Sequence, residues 1–248
     1  MCMNINFLWI GPTLGLLEQL TLKSFIDNDH QPVLWVYDLN CSNIPSGVIV
    51  KDAREILPAD KIFAYTGKGD CRKGSYGGFS DIFRYYLLRK TGGWYCDMDV
   101  TCLQNFSNLD KQEYMFRPHR IAKAVGNVLK APSDSLFLKK CIEKTEESIS
   151  KDNDEWVLPV VILGEIVAEE KLDHYIAPPE WFGMDSMFEI KKLIKPGTFL
   201  NTTLPRYAIH WCHEALSTGK WDWTVKRNFD TPVPTTLYFN LLKKHKLI

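Results

Sequence analysis

Neither charge predominates in this sequence: Lys and Arg total 30, and Asp and Glu total 30. Proteins that work on phosphate backbones carry a basic surplus, so nucleic acid is not expected as a partner. Long apolar runs are missing too. The most apolar late stretch, Val157 to Leu163, is interrupted by Pro159 and falls far short of the roughly 20 residues that cross a bilayer. The seven cysteines contain no CxxC pair, and scattered odd thiols in a chain of this size fit a reducing compartment better than a disulfide scaffold. No basic segment opens the chain, and its early apolar stretches are broken at Gly11, Pro12 and Glu18. Neither a secretory signal nor a transmembrane segment is therefore expected, and the expected location is cytoplasmic. The sequons at Asn105 and Asn201 would matter only in a secretory lumen. No internal repeat, low-complexity tract or linker is visible, which leaves one domain over 1–248. With 45% of its 248 residues apolar, that domain can bury a substantial core, and disorder is excluded.

What is present alternates. Ile5 to Ile10 is a short apolar run ended by Gly11-Pro12, as a buried strand stopping at a turn would be. Leu16, Leu17, Leu20, Ser24 and Phe25 recur at helical spacing and predict a helix over 14–27. Val33 to Tyr37 reads as a second buried strand with Asp38 at its carboxyl end; Val48 to Val50 reads as a third, before a short helix over 53–57. Residues 67–78 read as a loop, and Ser80-Asp81 can cap a helix that runs to Lys90 and stops at Thr91-Gly92-Gly93. Strands are expected at 94–100, 114–116 and 124–130, then a helix over 133–150 capped by Ser133, and a further helix from Val160 to Glu169. Strand–helix alternation of this kind predicts an α/β fold built from βαβ units. The last third, rich in Pro, Trp and His, lacks clear periodicity and is expected to wrap a site.

The chemistry concentrates between Phe79 and Val100. On a continuous strand, period-2 parity puts Tyr95, Asp97 and Asp99 on one face. Two carboxylates side by side repel unless something positive neutralises them. Their oxygens suit a hard divalent cation, Mg²⁺ or Mn²⁺, which completes its shell with water and substrate phosphates. Asp81 and Arg84 are neighbours on one helix face, and the Gly92-Gly93 turn folds that helix back toward the strand. An acid pair, a cation, an arginine and a further acid suit a phosphorylated polyhydroxy ligand.

The string S-D-x-x-R-Y-x-x-L-x-x-x-G-G-x-Y-x-D-x-D, from Ser80 to Asp99, resembles the signature of glycosyltransferases with a DXD sugar-binding region. Glycosyltransferase family 32 and its relatives are the nearest. Phe7-Leu8-Trp9-Ile10-Gly11 resembles that family's opening strand, Val36-Tyr37-Asp38 its second strand end, Gly126-Asn127 with Ala131-Pro132 its middle segment, and Tyr207 to Trp211 its closing A-x-H motif. The resemblance implies a GT-A type, Rossmann-like fold: a mixed, mainly parallel sheet flanked by helices in a single domain. Residues 1–105 would form the nucleotide-sugar-binding half and 106–248 the acceptor-side and closing segment. It implies a hexosyltransferase that moves sugar from a nucleoside-diphosphate donor, UDP-hexose first among them, to a glycan or other hydroxyl acceptor. Retention of anomeric configuration, a role in polysaccharide synthesis and dependence on Mn²⁺ (or Mg²⁺) belong to the same implication.

Carried over position by position, Asp99 would ligate the metal, and Asp97 would bind ribose and help hold the metal. Asp81 would bond donor sugar hydroxyls, Arg84 would order the sugar or phosphate side, and His210 would reach the metal or the diphosphate. Trp9 and Asp38 would flank the base and ribose, with Gly11 and Tyr95 in the same nucleotide-binding set. The chain departs from the family at Val157-Leu158-Pro159, where T-G-P is common, and in a closing segment stretched from His210-Trp211 to Lys220-Trp221.

Other readings stand beside these. Asp97 to Thr101 fits the D-x-D-x-[TV] nucleophile motif of haloacid dehalogenase-like phosphohydrolases, with Asp97 attacking phosphorus. That motif normally sits on the first strand, and no downstream G-D-x-x-x-D appears. A non-catalytic nucleotide-sugar-binding module is a third reading. Asp81 with Arg84 reads equally as a surface ion pair, Asp38 as a turn former and His210 as a core histidine. His210, Cys212 and His213 suggest zinc only weakly, without a matching second pair. Trp211, Trp221 and Trp223 read as packing residues. Glu165, Glu180 and Asp185 are candidates by type alone for the far face of the donor sugar.

Overall fold

The structure, a computed structural model, describes residues 2–67, 73–152, 158–183, 194–197, 205–213 and 229–248. Strands β1 (Met3–Trp9), β2 (His30–Val36), β3 (Ile49–Asp52), β4 (Gly93–Cys96), β6 (Met115–His119) and β7 (Lys123–Ala131) form one sheet in the order β3-β2-β1-β4-β7-β6. The pairs among β3, β2, β1 and β4 are parallel, while β7 runs antiparallel to both β4 and β6. Two short strands, β5 (Val100–Cys102) and β8 (Ala208–His210), pair antiparallel outside it. The helices are α1 (Leu16–Asp27), α2 (Gly77–Thr91), α3 (Leu136–Ser148), α4 (Leu158–Glu169) and α5 (Leu237–Lys244). This is the expected α/β architecture, a mixed and mainly parallel sheet between helices.

Strand residues alternate between two cores. Leu8, Val33, Trp35, Tyr95 and Leu129 pack with α2, α3 and α4. Ile5, Phe7, Leu34, Val36, Trp94 and Cys96 pack on the other face with Leu22 and Phe25 of α1. Burial on both faces explains why these strands read as continuous apolar runs. From β1 the chain passes through α1 to β2 on one side, then returns through α2 to β4 on the other. The order of strands therefore reverses between β1 and β4, and in open α/β sheets the crevice at such a reversal, beyond the carboxyl ends of the strands, is where ligands bind.

Several local expectations shift. Helix α2 begins at Gly77, because the Ser75 hydroxyl accepts from Gly77 N at 3.1 Å and opens the helix three residues before Ser80. Helix α3 is capped by Ser135, whose Oγ accepts from Leu138 N, so Ser133 is not the cap. The short helix over 53–57 is a single 3-10 turn, Ala53–Glu55. Helix α4 covers the stretch expected from Val160 and starts two residues earlier. The strand expected over 94–100 does not exist as one piece. It stops at Cys96, and Val100 N bonds Asp97 O at 3.2 Å, so Asp97 to Val100 is a turn. The α2–β4 junction holds as expected: Gly92 and Gly93 take φ of 62° and 86°, a region costly for a side chain.

His30, at the start of β2, yields a pH prediction. Its Nε2 accepts from Phe106 N at 3.0 Å, and its ring packs against Phe25 and Phe106. Burial pushes its pKa down to about 4 from 6.5, with Asp29 and Asp110 only partly opposing. The unfolded chain therefore takes up this proton first. Stability is full above pH 6.5 and declines as pH falls toward 4, by an amount on the order of 2 kcal/mol. Urea unfolding at pH 7 and pH 4.5 should show this slope flattened in His30→Asn; an unchanged slope would exclude His30 as its source.

Candidate active site

The Asp97–Val100 turn lies at the carboxyl end of β4, beside the sheet's reversal point, and two sets of contacts hold its carboxylates. The first comes from α2 and β7. Arg84, buried in the helix, places Nη2 at 3.2 Å from Asp81 Oδ1 and 3.1 Å from Asp97 Oδ1. Its Nε and Nη2 also donate to Ser80 O and Ser80 Oγ, and its guanidinium lies 4.9 Å from the centre of the Tyr95 ring. Ser80 Oγ in turn meets Tyr95 Oη at 3.1 Å. A Cβ on Gly126 of β7 would come within 2.9 Å of Arg84 Nη1, so that position has to be glycine for the guanidinium to lie where it does. Next to it, Asn127 O accepts from Asp97 N. The buried Asn127 Oδ1 has no hydrogen-bond partner among the described residues.

The second set comes from the small sheet. Pairing of β5 with β8 puts Val100 opposite His210; Trp211 N extends the ladder to Asp99 O at 3.0 Å. Asp99 Oδ1 then faces His210 Nε2 at 3.2 Å, and Asp99 Oδ2 accepts from His213 N at 2.9 Å. The His213 ring lies 3.7 Å from the buried Glu18 of α1, whose other carboxylate oxygen accepts from Gly15 N. Trp211 is fully buried and donates Nε1 to Thr101 Oγ1, so it packs as expected.

The electrostatics follow from this crowding. Burial pushes the Asp81 pKa up to about 6, with Arg84 opposing and Asp97 adding to the rise. Burial also raises Asp97, against Arg84 and together with Asp99. Asp99 behaves in the opposite sense: burial penalises its charge, but His210 and the His213 amide outweigh this and hold it well below the usual carboxylate range. His210 is pushed up to about 10, since Asp99 overcomes the cost of burial. One ligand atom from each of Asp97, Asp99 and His210 lies within 4.8 Å of the other two. Two carboxylate oxygens and an imidazole nitrogen form a donor set that Mn²⁺ accepts, whereas Mg²⁺ prefers oxygen alone. The residues present fit a divalent ion.

The structure thus joins Asp81, Arg84, Tyr95, Asp97, Asp99 and His210 in one network. The surface ion pair is not what Arg84 makes: it is 4% exposed, and its removal would strand two acids. Trp9, Gly11 and Asp38 lie along the same edge of the sheet, at the ends of β1 and β2, but their contacts are local. Trp9 Nε1 donates to Thr13 O with its ring against Gly11, and Asp38 Oδ1 accepts from Asn40 N in a turn. Glu165 pairs with Lys144 on α3, and Glu180 sits half-buried in a turn. Asp185, Trp221 and Trp223 lie outside the described residues, as do Val157 and Lys220 of the two departures. Ser80, Cys212 and His213 were not expected as site residues. Ser80 stands inside the signature string but reads there as a helix cap, and Cys212 and His213 stand out in the sequence only in the weak zinc pattern with His210.

Residues 24–116 match the family model described as glycosyltransferase sugar-binding region containing DXD motif. That span carries Asp81, Arg84, Tyr95, Asp97 and Asp99; Trp9, Gly11 and His210 lie outside it. Among solved structures the chain is similar to one titled PaToxG Glycosyltransferase, at 16% identity over 67% of this chain and 68% of that one, with a TM-score of 0.48. No curated protein matches by sequence. The match covers less than half of the chain, and within it residues 24–116 are similar to a DXD-type sugar-binding region of glycosyltransferases. No helix among the described residues is long and apolar enough to cross a membrane.

Proposed function

We propose that this protein is a metal-dependent, retaining glycosyltransferase of GT-A type that moves a hexose from a nucleoside diphosphate, UDP first among candidates, to a hydroxyl of a glycan or other acceptor in the cytoplasm. The observation that supports this best is the convergence of Asp97, Asp99 and His210 inside a chain whose matched region is a DXD sugar-binding segment. A divalent ion held by these three would stabilise the negative charge that builds on the departing diphosphate. Asp81, its carboxylate fixed by Arg84, accepts hydrogen bonds from donor sugar hydroxyls. Arg84 keeps Asp81 and Asp97 together in a partly buried place where their mutual repulsion would otherwise separate them. Trp9, Gly11 and Asp38 flank the crevice where base and ribose would lie, and Tyr95 supports Arg84 from beneath.

Screening nucleotide sugars for Mn²⁺-stimulated hydrolysis and for thermal stabilisation tests this, because a ligand that binds only the folded state raises stability. One nucleoside-diphosphate hexose should do both, and EDTA should abolish the hydrolysis. Phosphoryl transfer to Asp97 from a phosphate donor would instead establish the phosphohydrolase reading.

A further inference from the structure

The two ring nitrogens of His210 meet different partners. Nε2 faces Asp99 at 3.2 Å, and Nδ1 lies 3.2 Å from Cys212 Sγ. They point away from each other across the ring, so the sulfur cannot share an ion with Nε2 and is not itself a ligand beside it. Its place is behind the imidazole. For Nε2 to offer a lone pair to an ion, the ring proton must sit on Nδ1 and be donated to an acceptor, because the bond at one nitrogen sets the role of the other. Cys212 Sγ stands 3.2 Å from Nδ1 and, in that tautomer, is the group that accepts the proton's hydrogen bond. The backbone at Cys212 serves the same arrangement. Its φ of 50° turns the chain through the left-handed region, uncommon for a residue with a side chain, and the turn carries His213 N back onto Asp99 Oδ2.

We propose that Cys212 is a positioning residue for the metal centre: its sulfur holds the His210 proton on Nδ1 and so keeps Nε2 open toward Asp97 and Asp99. The proposal rests on the reading of those three residues as ligands. Partners behind a metal-bound histidine typically contribute about 10- to 100-fold in metal affinity.

The experiment is Mn²⁺ titration of the full chain, free Mn²⁺ being read by electron paramagnetic resonance, for wild type, Cys212→Ser and Cys212→Ala. Both substitutions keep Cβ, so the left-handed turn is strained no further and thermal melting should stay near wild type. Serine restores an acceptor behind Nδ1; alanine does not. Cys212→Ala should bind Mn²⁺ about tenfold or more weakly, with Cys212→Ser within a few-fold of wild type. Wild-type affinity in Cys212→Ala would overturn the proposal, as would equal losses in both variants, since an oxygen acceptor would then fail to substitute for sulfur. Absence of Mn²⁺ binding by wild type would instead remove the metal reading, and this inference with it.

Discussion

Asp99→Ala should abolish sugar transfer, with a loss of at least a hundredfold to a thousandfold, and should eliminate Mn²⁺-dependent nucleotide binding. The size follows from removing a group that acts where charge develops. In this fold the effect is compounded, because Asp99 is held from both sides: His210 Nε2 faces Oδ1, and His213 N donates to Oδ2. Alanine takes away the carboxylate proposed to hold the ion and the partner of a histidine whose charged form Asp99 favours. Asp99→Asn keeps an oxygen for His213 N and loses the charge, so it isolates the electrostatic part of the effect. Its melting temperature should lie above that of alanine, because the His213 bond is kept, while its transfer rate falls as far as that of alanine. Transfer above a tenth of wild type in either variant would remove Asp99 from the reaction.

Arg84→Met should be the most destabilising change at the site, by about 3 kcal/mol. Breaking a buried ion pair by removing one partner leaves the other charge without compensation; here one guanidinium serves two carboxylates, at 3.2 and 3.1 Å. The loss should depend on pH. Asp81 already sits near 6 with Arg84 opposing the rise, so without the guanidinium both acids take up protons more readily in the folded chain than in the unfolded one. A folded pKa above the unfolded value favours folding at low pH and is lost as pH rises, so the deficit should be larger at pH 8 than at pH 5. Denaturant melts at the two pH values measure it. Adding Asp97→Asn should recover part of the stability but none of the activity. Arg84→Lys should rescue poorly, since an ammonium cannot present the planar fork that engages both acids. An equal deficit at both pH values would show that Arg84 acts by packing alone.

The order of strands and helices was legible because β1, β2, β4 and β7 are largely buried on both faces and read as apolar runs. The acid pair was legible as a pair, but for a reason the structure replaces. Parity along one strand placed Asp97 and Asp99 together, whereas the chain turns at Asp97, and the two meet because β5 leaves the main sheet to pair with β8. That pairing joins residues more than a hundred positions apart, which periodicity cannot show. His210 was accessible only through its resemblance to a closing motif. Cys212 and His213 were visible only as a weak zinc pattern with His210, because their places at the site depend on a left-handed turn and a backbone amide. Ser80 has the composition of a helix cap, and only the earlier start of α2, set by Ser75, turns it inward to Tyr95 and Arg84.

The proposed reaction requires the turn after β4 to hold an ion against a nucleoside diphosphate. Crystals of the protein with Mn²⁺ and UDP, examined at the manganese absorption edge, test it most directly. The expected result is one anomalous peak within bonding distance of Asp99, Asp97 and His210, with diphosphate oxygens completing its shell. A nucleotide bound elsewhere, with no peak between those three side chains, would contradict it.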